Sequence, residues 1–203
     1  MIEVFSPKWY YISKLEEDKQ TKVTELFKDF IDNEDNFAQP PQWNCNIKCS
    51  YQHANNSKAP WDSWLEIVRP EFDKFIDEVG ALQDIEILPQ EAWVNKYKPG
   101  DSQELHNHCT PNTNISMVYF HTINEDDNCQ FKFSNAEHGD YQLTGLSDLI
   151  KQPVTQNTIP SVEQGSIILF PSFYPHLVSP HRGRKDRITF AANFYIVPQG
   201  WRG

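Results

Sequence analysis

The sequence predicts a β-rich protein in which helices come first and an antiparallel sheet, or a pair of sheets, follows and is covered on one side by those helices. Two changes of pattern along the 203 residues carry this reading. Up to about residue 80 the apolar side chains recur at helical spacing among charged ones; beyond it they alternate with polar ones in short runs rich in β-branched and aromatic residues. Strands and helices do not alternate, so a parallel, helix-wrapped sheet is set aside. No internal repeat is present.

The first helix is read from Tyr11, Leu15, Val23, Leu26, Phe27, Phe30 and Ile31, spaced by three, four or their sums. A polar, Pro-containing stretch from Asp32 to Pro60 follows. Then Trp61, Trp64, Leu65, Val68, Phe72, Phe75, Ile76 and Val79 trace a second face that ends at Gly80. Pro70 lies inside it and is expected to kink or divide the helix, because proline lacks the N–H of the helical ladder. Strands are expected at 84–89, 91–97, 114–123, 129–134, 166–170 and 187–197. Residues 135–160 interrupt them with a long segment of low hydrophobicity and at most one short helix, which suits a lid or a plain surface insertion equally. One domain is expected over 1–203, with 1–83 a mainly helical support and 84–197 the β core.

Composition narrows the class. The chain is 38% hydrophobic and 13% aromatic, as a packed globular protein should be. Its formal net charge is −10 and no dense Lys/Arg run occurs, so nucleic acid is a disfavoured partner. The N-terminus has no charged leader with an apolar run after it, and no segment approaches the ~18 apolar residues of a membrane span. A cytoplasmic location is expected. Cys45, Cys49, Cys109 and Cys129 are read as free thiols, and Cys45, Cys49 and His53 lack the spacing and the fourth ligand of a common zinc module.

The chemistry starts from "LHNHCTPN", where His106 and His108 stand two apart and face the same side of an extended chain. Imidazole suits iron, zinc or copper, though the pair alone fits a polar loop as well. In "EQGSIILFPSFYPHLVSPHRGRKDRITFAANFYI" an apolar strand, 166–170, is followed by a Pro-rich bend that delivers His176 on the return path. His181, five residues on, is its competitor and ranks lower because His176 follows the bend directly. The last strand sets Arg187, Thr189, Ala191 and Asn193 on one face and Ile188, Phe190, Ala192 and Phe194 on the other. A planar guanidinium there suits a carboxylate, with a surface arginine on an edge strand as the plain alternative.

Together, "YKPG", the "HNH" five residues after it, "LFPSFYPHLVSP" and "RIT" resemble the Fe(II)- and 2-oxoglutarate-dependent dioxygenases over roughly residues 90–197. The closest likeness is to bacterial and phage members with HxH in place of HxD; the helical N-terminal part carries no motif. The resemblance implies a double-stranded β-helix, a cupin-like jelly roll, flanked by N-terminal helices. It makes His106, His108 and His176 the ligands of Fe(II), and seats the far carboxylate of 2-oxoglutarate on Arg187 with Thr189. Tyr97, Asn114, Tyr119 and Asn193 are positional candidates for further cosubstrate contacts. Dioxygen and an unidentified substrate complete the partners, and the reaction is oxygenation, most simply hydroxylation, with release of succinate and carbon dioxide. The departure is His108, which stands where the family has a carboxylate and leaves the metal complex more positive. Glu104 or Asp101 are the alternative carboxylates, although Glu104 precedes His106 and reverses the family's order. A three-histidine metallo-cupin enzyme without 2-oxoglutarate, and a non-catalytic barrel that holds a small ligand, remain as other readings.

Overall fold

The computed structural model describes residues 8–80, 84–124, 126, 129–149 and 155–200. In chain order the elements are β1 (Tyr11–Lys14), α1 (Glu17–Asp32), β2 (Lys48–Cys49), α2 (Trp61–Val79), β3 (Ile85–Tyr97), β4 (Gln103–His106), β5 (Ile115–Thr122), β6 (Phe131–Ser134), α3 (His138–Leu143), β7 (Asn157–Thr158), β8 (Ser166–Pro171), β9 (His176–Val178) and β10 (Arg187–Pro198). They form a six-stranded sheet, β1-β8-β5-β10-β3-β2, and a four-stranded one, β4-β9-β6-β7, antiparallel throughout. This is a double-stranded β-helix with helices on the outside of its larger sheet.

The two faces of the large sheet bury different partners. Toward the helices it presents Val94, Met117, Tyr119, Leu169, Phe190 and Phe194. Against these α1 lays Val23, Phe27, Phe30 and Ile31, and α2 lays Trp64, Val68, Phe72 and Phe75, each set on one stripe of its helix. Phe27 and Phe72 meet Phe190 and Phe194 at ring distances of 4.5 and 4.6 Å. Toward the small sheet, Tyr97, Val118, Phe120, Ile168 and Phe170 pack with Phe131, Phe133 and Val178. β5 and β8 are therefore buried on both faces, which is why they read as continuous apolar runs.

Several expectations are corrected. Tyr11 and Leu15 do not belong to the first helix: Tyr11–Lys14 pairs with Leu169–Ser166, the Leu15 N–H donates to the Gly165 carbonyl at 3.0 Å, and α1 begins at Glu17. The four-residue spacing of Tyr11 and Leu15 matches a helix only by coincidence. Pro70 does not divide α2, which runs unbroken over Trp61–Val79. Pro70 and Glu66 are both exposed, so the Glu66 carbonyl that proline leaves without its helical donor can be hydrated. Gly80 closes the helix at φ 66°, as expected. The runs 84–89 and 91–97 form one strand, with a bulge at Gln90 where the partner of β10 passes from Glu91 opposite Asn193 to Pro89 opposite Phe194. The region 1–83 is more than a helical support, because β1 and β2 form the two edges of the large sheet. Within 135–160 lie α3, a short 3-10 turn (Leu146–Asp148) and β7, while 150–154 fall outside the described residues. No described helix is long and apolar enough to cross a membrane.

Candidate metal centre

His106 ends β4 and His176 begins β9, and the two are paired across the small sheet. His108 follows in the loop after β4, whose backbone is pinned to the bend that carries His176. The His108 N–H donates to the Ser172 carbonyl at 2.8 Å, and the Ser172 hydroxyl donates to the Thr113 carbonyl at 2.6 Å. Ring distances are 4.2 Å for His106–His176, 5.2 Å for His106–His108 and 5.1 Å for His108–His176. Their ligating atoms lie within 4.8 Å of one another, the only such group of three among the described residues.

Each of these rings has its Nδ1 against an acceptor. His106 faces the Glu104 carbonyl at 2.7 Å, His176 the Tyr174 carbonyl at 2.9 Å and His108 the Asn193 Oδ1 at 2.8 Å. Carbonyl oxygens only accept, so Nδ1 carries the proton in each ring and Nε2 keeps its lone pair. Burial and the neighbouring imidazole push His108 down to about 4, burial lowers His106, and burial with both other histidines holds His176 well below the ordinary imidazole range. Three neutral imidazoles thus offer lone pairs to a common space, the donor set a divalent transition metal accepts.

Asn193, expected at the cosubstrate, stands behind His108 instead. Its Nδ2 donates to Glu91 at 2.9 Å, which turns Oδ1 toward His108, and the Ser116 hydroxyl donates to the same oxygen at 2.8 Å. Glu91 and Ser116 were not singled out in the sequence. Both pair with Asn193 across neighbouring strands, and that register is not visible in a single chain.

Arg187, at the start of β10, is 2% exposed and faces the chamber beside the histidines with Thr189 and Tyr97. Its Nη1 donates to the Cys129 carbonyl at 2.6 Å, and its guanidinium stands 5.4 Å over the Phe120 ring. The Tyr97 hydroxyl donates to Gln103 at 3.0 Å, and burial raises its pKa. Asn114 and Tyr119 are not brought to the chamber. Asn114 is exposed and its Oδ1 accepts from the Ile196 N–H at 2.7 Å. Tyr119 lies between Val118 and Phe120, which face the chamber, so it points to the helices and packs on Trp64 and Phe190.

The alternative ligands are engaged elsewhere. The Asp101 carboxylate accepts from the Lys98 N–H and that of Glu104 from the Asn44 N–H, while His181 is tied to the Lys185 carbonyl at 2.7 Å. Cys45 and Cys49 are buried free thiols and belong to no ligand group among the described residues. His121 is buried and stacked on Phe190 at 4.9 Å, away from the chamber. Next to the chamber opens a cleft of about 230 Å³ that shares Trp93, Gln103, His106 and His108 with it and adds Trp43, Tyr51, Glu91 and Glu104. Among the described residues of 135–160, none borders either space.

Residues 91–193, half of the chain, match the family model described as "Putative 2OG-Fe(II) oxygenase". No curated protein matches the sequence. Among solved structures the chain is similar to a prolyl-4-hydroxylase of Pseudomonas putida, at 16% identity and a TM-score of 0.60 over 95% of this chain and 94% of that one. A prolyl hydroxylase of Trichoplax adhaerens, in complex with a hypoxia inducible factor peptide fragment, gives 14% and 0.62 over 92% and 83%. HygX of Streptomyces hygroscopicus, with nickel and 2-oxoglutarate bound, gives 11% and 0.61 over 96% and 86%. These likenesses establish the shared fold, and with the family match over the segment that holds the histidines, the chain belongs to the 2OG-Fe(II) oxygenase family.

Proposed function

We propose that His106, His108 and His176 hold the Fe(II) of this oxygenase through Nε2, and that Arg187, with Thr189 beside it, takes the far carboxylate of 2-oxoglutarate. The observation that carries the assignment is the convergence of three neutral imidazoles, each oriented by a hydrogen bond at Nδ1, next to a buried guanidinium. Bound iron supplies dioxygen activation coupled to the oxidative decarboxylation of 2-oxoglutarate to succinate and carbon dioxide. The chain's own part is positioning. Glu104, Tyr174 and Asn193 fix the imidazoles, Arg187 orients the cosubstrate with a charge-assisted pair, and Val118, Phe120, Phe131 and Val178 keep the chamber dry. The chamber is narrow, about 20 Å³, so side chains that line it must shift to admit the cosubstrate.

The outcome for the substrate is hydroxylation of a C–H bond, in keeping with the hydroxylases that share the fold. The test is anaerobic reconstitution with Fe(II) followed by 2-oxoglutarate. A weak visible metal-to-ligand charge-transfer band is expected in the wild type, and it should shrink in Arg187→Ala at limiting cosubstrate. No band, or an undiminished band in the variant, overturns the assignment. A metallo-cupin that does without 2-oxoglutarate has no need of a buried arginine in this place.

A further inference from the structure

We propose that the cleft beside the metal chamber recognises a cationic group of the substrate, an ammonium or a guanidinium. The inference rests on the reading of His106, His108 and His176 as the metal centre and adds to it the chemical class of what is oxidised: a basic side chain or a small amine.

The cleft has one aromatic wall. Trp43 and Tyr51 stack at 5.4 Å and 23°, Tyr51 meets Trp93 edge-on at 5.0 Å, and Trp93 in turn touches the His108 ring at 5.6 Å. The wall runs from the mouth of the cleft to the histidines. Trp93 is held firmly, at 3% exposure, whereas Trp43 and Tyr51 are only half-buried. Aromatic faces carry negative potential and attract a cation placed over them, more strongly where water is excluded.

Two carboxylates share the same space, Glu91 and Glu104, and no Lys or Arg is among the described residues that line it. Glu104 is the informative one. Its Oε1 accepts from the Asn44 N–H at 2.9 Å, but its Oε2 is buried with no N–H or O–H donor among the described residues. The Cys45 thiol beside the carboxylate is only a weak donor. A buried carboxylate oxygen without a strong donor is costly, and a cation in the cleft is the group that relieves it.

An anion would meet two like charges here, and a neutral apolar group would leave the Glu104 oxygen without a donor. The volume, about 230 Å³, suits one side chain or a small amine and falls below the ~300 Å³ lower end of drug-sized pockets. A group seated there lies against His106 and His108, which border both spaces, so recognition and chemistry are adjacent.

The test uses full-length protein loaded with redox-inert Zn(II) and 2-oxoglutarate. Nα-acetyl-lysine amide, Nα-acetyl-arginine amide and the neutral isostere Nα-acetyl-norleucine amide are titrated by calorimetry, with Zn(II) uptake measured on the same samples. At least one cationic probe is expected to bind tenfold or more tightly than the norleucine probe. That preference should fall to threefold or less in Glu104→Gln, which keeps the acceptor for Asn44 and the backbone carbonyl that orients His106, and in Trp43→Leu, where Zn(II) uptake should be unchanged. Glu91 is left intact because it also holds Asn193. Equal binding of the norleucine probe, no binding of any probe, or an unchanged preference in Glu104→Gln overturns the inference while the metal assignment stands. A protein that takes up no Zn(II) yet keeps the cation preference overturns the metal assignment and leaves the cleft as a cation site.

Discussion

His108 and His121 are alike by most measures that mark a functional histidine. Both are at least largely buried, both have pKa values pushed down to about 4 with burial as the leading cause, and both pack against aromatic rings. They differ in what their second nitrogen meets. His121 sits between hydroxyls, with Thr122 at 2.8 Å from Nδ1 and Thr24 at 3.4 Å from Nε2, and lies flat on Phe190 in the helix-facing core. His108 has one nitrogen fixed by Asn193 and the other left to a space shared with two more imidazoles. A depressed pKa therefore marks burial; convergence of oriented lone pairs marks a metal site.

Breaking the comparison at its strongest point, His176→Ala should weaken divalent metal binding by more than about 100-fold, beyond what loss of an outer-shell partner does. His121→Ala should leave it within about twofold and instead cost ~2–4 kcal/mol of stability, as large-to-small changes in a core do. Equilibrium dialysis and thermal melts on the same samples separate the two.

His108→Asp sharpens it further. The Asn193 oxygen is turned toward position 108 by its bond to Glu91, so an aspartate would meet an acceptor with an acceptor. Metal affinity should fall by about 10–100-fold. Adding Glu91→Gln lets the Asn193 amide flip and donate to the introduced carboxylate, while the new glutamine amide donates to the Asn193 oxygen, and should recover most of the loss. A single variant that binds Fe(II) as tightly as the wild type would show that the hydrogen-bond direction does not matter.

The pH dependence treats the pair alike. In the range between about 4 and 6.5 the unfolded chain binds protons at His108 and His121 that the folded chain refuses, so the stability is present above the unfolded pKa and lost as pH falls toward 4. Urea midpoints of the metal-free protein should drop over that window, on the order of 2–3 kcal/mol for each histidine. His121→Phe should flatten the drop by one share. The smallest effect belongs to Thr189→Ala, where 2-oxoglutarate should bind about tenfold more weakly through the loss of one hydrogen bond to its carboxylate, with metal binding unchanged.

Alternation in β10 was legible from residue types alone: Arg187, Thr189 and Ala191 face the chamber while Phe190, Ala192 and Phe194 face the helices. The histidine frame was legible too, because its members lie in two short stretches of chain, 105–112 and 169–180. Tyr119 was misplaced because β5 is apolar on both faces, and a strand buried on both sides gives no sign of which residues look inward. Asn193 was read as a cosubstrate contact because its partners, Glu91 and Ser116, come from strands far apart in sequence. β1, β2, β4 and β9 have two to four residues each, too few for any period to show.

The pairing of β4 with β9 has a consequence for local opening of the small sheet. These are strands of four and three residues, and their register slips between Gln103 and His106. So short a ladder holds few cross-strand bonds of its own, yet it is the one that sets His106 opposite His176. A metal held by both rings staples the ladder shut and stabilises the closed form in proportion to the logarithm of metal supply. Amide exchange at Gln103–His106 is therefore expected to be slower in metal-loaded protein than in metal-free protein.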